Sequence, residues 1–481
     1  MRKFLYTIIA LAATLLTTSC LYGLGSDDGL EIEDTSGFKV EVSSNVISAD
    51  GEDIAVFRAF YNGEEVTSEC TLYNTTANET MEDMSFSTYV PGMYMFYVKY
   101  QDYQSESITV TAVVDIDFSD KEESGLSVTL STNLVQVSQG YATFIVRYNG
   151  KVILPDEIEK VKFYDAETDS PIAVDYTTFV SESGTEYVLP AYVATEVGTK
   201  SFWASYKTSN TRETPVSIIS VNSKIPARPA DAEPNNLDFK HRALFTQLTG
   251  TWCGYCPNMI AAFHYMFEEA NYKDKFVHTA VHGGDKFATK LPDGRDLANI
   301  LNTSGGYPYT IANLSYGLST NNSIENNIGA IMGAIEGTMK SEARAGIAAR
   351  TELKDNMLLI RASVKASHAG EYYIGAWLVE SNLQAAQSNY TDIKEDYLDI
   401  HENVVRIADS NTTNFLGHPL GNIGKGERAD HLFIMELDPS WKVENCHLVL
   451  FASTVQFNSL TMTNAVKTTS LTSGVDFEYK K

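Results

Sequence analysis

Thr251-Trp252-Cys253-Gly254-Tyr255-Cys256-Pro257 is the stretch whose reading decides the fold. Nowhere else in the chain do two cysteines stand two residues apart. The apolar run Ala243-Leu244-Phe245 leads into it, and a helical pattern opens at Pro257. A strand running into Cys-x-x-Cys at the mouth of a helix is the setting of thiol–disulfide chemistry. Exchange needs a thiolate, and a helix N-terminus lowers a thiol pKa through its unpaired N–H groups and positive dipole end. On this reading Cys253 is the nucleophile, with its sulfur partly exposed. Cys256, one turn deeper, resolves the mixed disulfide, so the pair cycles through a Cys253–Cys256 bridge. Pro257 suits the first helical turn, where its missing N–H is not needed.

Outward from the motif the pattern alternates strand and helix. From 257 to 271, Met259, Phe263, Met266, Phe267 and Ala270 fall on one helical face. Phe276 to His282 reads as a second strand, and 293–301 as a helix with Asp293 as N-cap. Tyr309 to Leu314 is a third strand. A helix over 322–340 then carries Ile324, Ile328, Ile331, Met332 and Ile335 on its stripe. Strand–helix–strand with so short a link predicts a parallel, right-handed crossover.

Three groups of residues carry a resemblance: Thr249 through Pro257, then Val281-His282 with Asp285, then Gly306-Tyr307-Pro308. The segment His401-Glu402-Asn403-Val404-Val405-Arg406 adds to it. Residues 238–481 resemble the thioredoxin-like lipoproteins related to the twenty-eight-kilodalton outer membrane protein family. The resemblance implies an outer-membrane lipoprotein in which a thioredoxin-like α/β domain precedes a β-rich half. In a thioredoxin fold Pro308 would be a cis-proline beside the cysteines, and it would turn the Tyr307 backbone toward an extended substrate. Trp252 belongs to the same site. One position departs from that pattern: six residues before Cys253, where an acidic proton acceptor often stands, this chain has Gln247. His282 ends the neighbouring strand, on the edge where open α/β sheets place their sites. It either tunes Cys253 or shapes a loop with Asp285.

The N-terminus sets the compartment. Arg2-Lys3, an apolar core from Leu5 to Leu16, and Thr17-Thr18-Ser19-Cys20 read as a bacterial lipoprotein signal over 1–19, with acyl chains on Cys20. That core is too short to span a bilayer, so the lipid on Cys20 would be the membrane attachment. Residues 20–36 are a Gly-rich, acidic tether that resembles a surface-export signal; the periplasmic face and the cell surface both stay open. The chain of 481 residues carries a net charge of −26 and shows no basic stripe, which argues against a nucleic-acid partner. Cys70 and Cys446 read as buried, inert thiols.

Upstream of the motif the chain repeats. Phe60-Tyr61-Asn62-Gly63 has its counterpart in Arg147-Tyr148-Asn149-Gly150, and 92–100 matches 198–206. Tandem immunoglobulin-like β-sandwiches over 37–115 and 123–221 follow, the second longer around 157–178. Residues 222–237, with three prolines, read as a linker; 238–341 as the thioredoxin-like domain; 342–481 as a β-domain (a β-sandwich) with a polar insertion at 383–428.

Two functions stand side by side. The first is thiol–disulfide exchange on protein substrates by Cys253 and Cys256. The second is a non-catalytic surface binding or adhesion lipoprotein whose Cys253–Cys256 bridge is structural. A zinc site using the cysteines with His264 or His282 lacks a second cysteine pair. Neither leading reading requires a cofactor or a metal.

Overall fold

The computed structural model describes residues 37–480 apart from 115, 181–183, 292–293, 319–321 and 411–414. The signal segment, Cys20, the tether and Asp293 lie outside the described residues. The protein is multidomain and mostly β-sheet, and it divides into two compact units, Met1–Ser223 and Lys224–Lys481. Among the described residues no helix is long and apolar enough to cross a membrane.

The first unit holds two β-sandwiches of the immunoglobulin-like kind. In the first, Phe38–Val42 pairs with Ala55–Tyr61. A second sheet runs Val46–Ser48, Ile108–Val113, Gly92–Tyr100, Thr71–Asn74. Period-two alternation buries Ala55, Phe57 and Ala59 from one sheet against Phe96, Val98 and Val110 from the other. Asn62-Gly63 and Asn149-Gly150 both adopt positive φ (50° and 87°; 50° and 76°), the pair of left-handed residues that a two-residue hairpin turn requires. The parallel pairing of Val46–Ser48 with Ile108–Val113 recurs as Leu134–Gln136 with Val216–Val221. The extra length of the second copy lies mainly in the strand Asp175–Val180, which adds to the sheet beside Glu186–Val193; its short helix Pro155–Ile158 stands where the first copy has a single turn at Thr67–Glu69.

The second unit is built on one sheet. Ala243–Thr249 and Phe276–His282 pair in parallel over seven residues, linked by the helix Pro257–Glu268. Tyr309–Ala312 pairs antiparallel on the other side of Ala243–Thr249. Leu244, Leu248, Val277 and Val281 turn to one face, where Leu297 of the helix Leu297–Leu301 covers them. Phe245 and Phe276 turn to the other, against Met259, Phe263 and Met266 of the first helix and Ile331 and Ile335 of the helix Ile324–Met339. That last helix is N-capped by Ser323, whose Oγ accepts from the Asn326 N–H.

The structure corrects the expected boundaries. No break falls at 341, because the sheet continues. Val404–Asp409 docks in parallel on the free edge of Phe276–His282, at Ala280 and Val404. Gly370–Glu380, Cys446–Gln456 and Ser459–Lys467 then follow in order, and with the short Tyr316–Gly317 beside Tyr309–Ala312 and His418–Ile423 beside Gly370–Glu380 the sheet has nine strands among the described residues. A bare edge is a row of unpaired N–H and C=O groups, and the C-terminal half supplies the strand that satisfies them. A three-stranded sheet of Ala345–Lys354, Met357–Ala366 and Arg428–Glu436 packs on this sheet through Leu358, Ile360, Val364 and Phe433 against Ile374, Leu378 and Leu450. The stretch 383–428 is therefore no insertion: it contributes a central strand.

The segment read as a linker is also fixed. Lys365, 1% exposed, sends its ammonium to Asp231 (2.7 Å), to the carbonyls of Glu233, Pro234 and Asn236, and to Tyr479 Oη. Arg428 adds a bond to the Pro229 carbonyl at 2.8 Å. A buried ammonium must be surrounded by acceptors, and this one gathers residues 231–236 to itself.

Candidate functional site

Cys253 and Cys256 are joined in a disulfide. Cys256 is the N-cap residue of Pro257–Glu268, with Pro257 in the first turn, and its carbonyl accepts from the N–H groups of Met259 and Ile260. A place at the helix mouth predicts a partly exposed Cys253 sulfur; instead Cys253 is 4% exposed, and Cys256 0%. The cause is a strap from the segment 385–390, a polar run with no sequence signal for this position. Ser388 N–H donates to the Thr251 carbonyl (2.7 Å) and Tyr390 N–H to the Gly254 carbonyl (2.8 Å). The Gln387 amide Nε2 reaches the carbonyls of Gly250 (3.1 Å) and Cys253 (2.9 Å). The Tyr390 ring lies so close over Gly254 that a Cβ there would stand 2.3 Å from it. Glycine in the motif is thus a steric requirement of the strap. The strap is anchored in turn by Asp399, which accepts from Gln387 N–H at 2.8 Å, and by His401, whose Nε2 donates to the Ala385 carbonyl at 3.0 Å.

An aromatic rim borders the capped pair. Trp252 and Tyr255 are each 48% exposed. Trp252 Nε1 donates to the Gly283 carbonyl at 2.7 Å, and its ring meets Tyr307 edge-on at 5.2 Å. The Tyr307–Pro308 bond is cis. Tyr390 meets Tyr255 edge-on at 5.7 Å.

Two polar clusters lie around the motif. Asp285 Oδ2 accepts from His282 Nδ1 (2.8 Å) and from Thr251 N–H (2.8 Å), so it ties the strand end to the motif loop. Burial alone would raise the Asp285 carboxyl, but the bonds from His282 and the backbone outweigh it and hold it at about 2. His282 Nε2 is buried with no hydrogen-bond partner, and its ring meets His401 edge-on at 5.0 Å. Burial, then the His282 ring, push His401 below the usual imidazole range. On the strand before the motif, Gln247 Oε1 takes a proton bond from His278 Nε2 at 3.1 Å. His278 Nδ1 faces Asn403 Nδ2 at 3.3 Å and must accept, so the ring is neutral; burial pushes it down to about 3.

The structure therefore brings Trp252, Cys253, Cys256, His282, Tyr307 and Pro308 into one region, and adds Gln387, Ser388 and Tyr390. His264 instead stacks on Tyr397 at 3.9 Å. Both cysteines are consumed by the disulfide, so neither is a thiolate donor for zinc. Among the described residues no three His, Cys, Asp or Glu side chains converge as a metal site. Cys70 and Cys446 are free thiols, pushed up to about 11 and about 12, mainly by burial.

Fold and site together define a multidomain, β-rich protein with a disulfide at the mouth of a β-α-β unit. Residues 298–469 match the model of the family described as outer membrane protein Omp28, and over that span the chain is related to it. The matched span begins after the cysteine pair. The family's description agrees with the outer-membrane placement read from residues 1–20. HBP35 of Porphyromonas gingivalis is 18% identical, over 49% of this chain and 77% of that one, with a TM-score of 0.39. A domain of the outer membrane lipoprotein Omp28 from the same organism is 18% identical over 29% of this chain and 92% of that one, TM-score 0.17. The Escherichia coli adhesin FdeC is 12% identical over 39% and 64%, TM-score 0.14. A search of the curated proteins found no match.

Proposed function

We propose that this chain is a lipid-anchored outer-membrane surface protein of the binding kind. In it a thioredoxin-like β-α-β unit serves as scaffold, and the Cys253–Cys256 bridge is structural. The anchor is Cys20, and the two sandwiches are the modules that reach partners. The thioredoxin-like description is supported by the parallel pair around Pro257–Glu268 and the antiparallel Tyr309–Ala312.

One observation carries the reading: the disulfide is capped by its own chain. A thiolate attacks along the line of the S–S bond and must reach one sulfur. Cys253, the sulfur that exchange would use, is 4% exposed beneath the strap. Gln247 puts no ionisable carboxyl at its place on the preceding strand, and its partner on the neighbouring strand, His278, is neutral. The test is the reduction of the purified mature chain in graded thiol buffers, with an insulin-type disulfide as substrate. The reading predicts a potential below about −300 mV and no turnover. Turnover with a potential near that of the exchange enzymes, about −120 to −270 mV, contradicts it. Mass analysis of the mature N-terminus tests the anchor: an unmodified Cys20 ends that part.

The competing reading, thiol–disulfide exchange by Cys253 and Cys256 on protein substrates, draws on the rim. Trp252, Tyr255 and Tyr307 border the motif as a peptide-contacting surface would, with His282 close by.

A further inference from the structure

The burial of the disulfide has a local cause that can be removed. The shield consists of four residues, Gln387 to Tyr390, and it is held to the motif by neutral contacts only. Two main-chain bonds run from Ser388 and Tyr390 to Thr251 and Gly254. One amide, on Gln387, clips the carbonyls of Gly250 and Cys253. One ring face, on Tyr390, covers Gly254 while the residue as a whole stays 73% exposed. No charged group joins the strap to the motif loop in these contacts. The Gln387 Oε1 is buried without a partner, so the clip is one-sided. Neutral bonds exchanged against water are individually weak, and segments held by few of them open ahead of the global unfolding.

We propose that the strap is a lock on a latent exchange site, and that its release makes Cys253 reactive toward protein or small-molecule dithiols. This rests on the structural reading of the bridge, and it adds that the strap, rather than the pair itself, imposes the inertness. With the strap displaced, a dithiol thiolate attacks Cys253 Sγ and forms a mixed disulfide. The S–S bond breaks, Cys256 leaves as thiolate and takes a proton from water. The reagent's second thiolate then closes its own disulfide and releases Cys253. Two electrons pass from the dithiol, which is oxidised, to the cysteine pair, which is reduced.

The same lock also defines what a partner must offer. The edge it occupies presents the Thr251 and Gly254 carbonyls two donors apart along an extended segment (Ser388 and Tyr390 N–H), over a glycine with room for an aromatic ring. An extended peptide with an aromatic residue at the second donor position fits that edge once the strap has left.

Two variants break the lock from opposite sides. Gln387→Glu keeps the size of the clip but sets a carboxylate against the Gly250 and Cys253 carbonyls. Gly254→Ala leaves the strap's own residues unchanged and displaces its Tyr390 ring, because the methyl would stand 2.3 Å from it. The full mature chain is treated with dithiothreitol under native conditions, and the thiols are trapped by alkylation over time. In both variants reduction of Cys253–Cys256 should run roughly tenfold or more faster than in the parent, with near-native circular dichroism. If both variants are folded and as slow as the parent, the lock is wrong and the structural reading stands. If the parent itself is reduced at the rate of an exposed disulfide, the structural reading falls instead.

Discussion

Two segments of the second unit are pinned to residues far away in sequence, and they are pinned differently. Residues 231–236 gather around the buried ammonium of Lys365, with Asp231 as counter-charge and Tyr479 beside it. Residues 387–390 are clipped to the cysteine loop by a neutral amide and two main-chain bonds. A buried charge cannot be left unpaired, so the first attachment is permanent on the time scale of the fold. A neutral clip can trade its acceptors for water, so the second can open while the rest stays folded. The difference separates a structural fastening from a releasable cover over a reactive group.

The largest expected effect tests the permanent side. Lys365→Met leaves Asp231 buried without its cation and should destabilise the unit by about 3–5 kcal/mol, read from denaturant unfolding. Adding Asp231→Leu should recover a large part of that loss. A Lys365→Met protein as stable as the parent breaks the comparison. Next comes Asp285, a charged clip close to the motif. Asp285→Ala frees His282 and the Thr251 N–H together, and a loss of about 1–3 kcal/mol is expected.

The neutral ring of His278 sharpens the same contrast through pH. Its folded pKa, about 3, lies below the unfolded value of about 6.5, so the unfolded chain binds the extra proton first. The stability it contributes is complete above about pH 6.5 and is lost as pH falls toward the folded value, by up to about 1.4 kcal/mol per pH unit. His278→Gln should flatten that slope by one proton; an unchanged slope would show that other histidines carry it. Burial also pushes down His431 and His447, each to about 4, so part of the acid sensitivity must remain in the variant. Last and smallest in stability is Gln387→Ala, with a loss of about 0.5–1.5 kcal/mol but a clear gain in disulfide reactivity. A large loss of stability with no such gain would make the strap a fastening like Lys365.

Local signals in the sequence carried much of the architecture. Asn62-Gly63 and Asn149-Gly150 state their hairpins through backbone chirality, and the apolar stripe of Met259, Phe263 and Met266 states its helix. The pairing of Val404 with Ala280 joins residues more than a hundred positions apart and has no periodic signature, so the shared sheet reads as two domains. The strap was invisible for a related reason. Gln387-Ser388-Asn389-Tyr390 is an ordinary polar run, and its partners are main-chain carbonyls, which every residue possesses. Lys365 gave no hint either, since a lysine on an alternating strand reads as solvent-facing until its acceptors are seen. Cys253 and Cys256 stand out in the sequence, but their accessibility depends on residues more than a hundred positions away. Motif chemistry was legible; the cover that restrains it was not.

The most direct measurement is the reduction potential of Cys253–Cys256 in the intact mature chain, taken beside an insulin-type turnover assay. The account predicts a potential below about −300 mV and no turnover. A potential between about −270 and −120 mV with turnover by the parent chain would contradict it and make the motif an exchange site in its resting state.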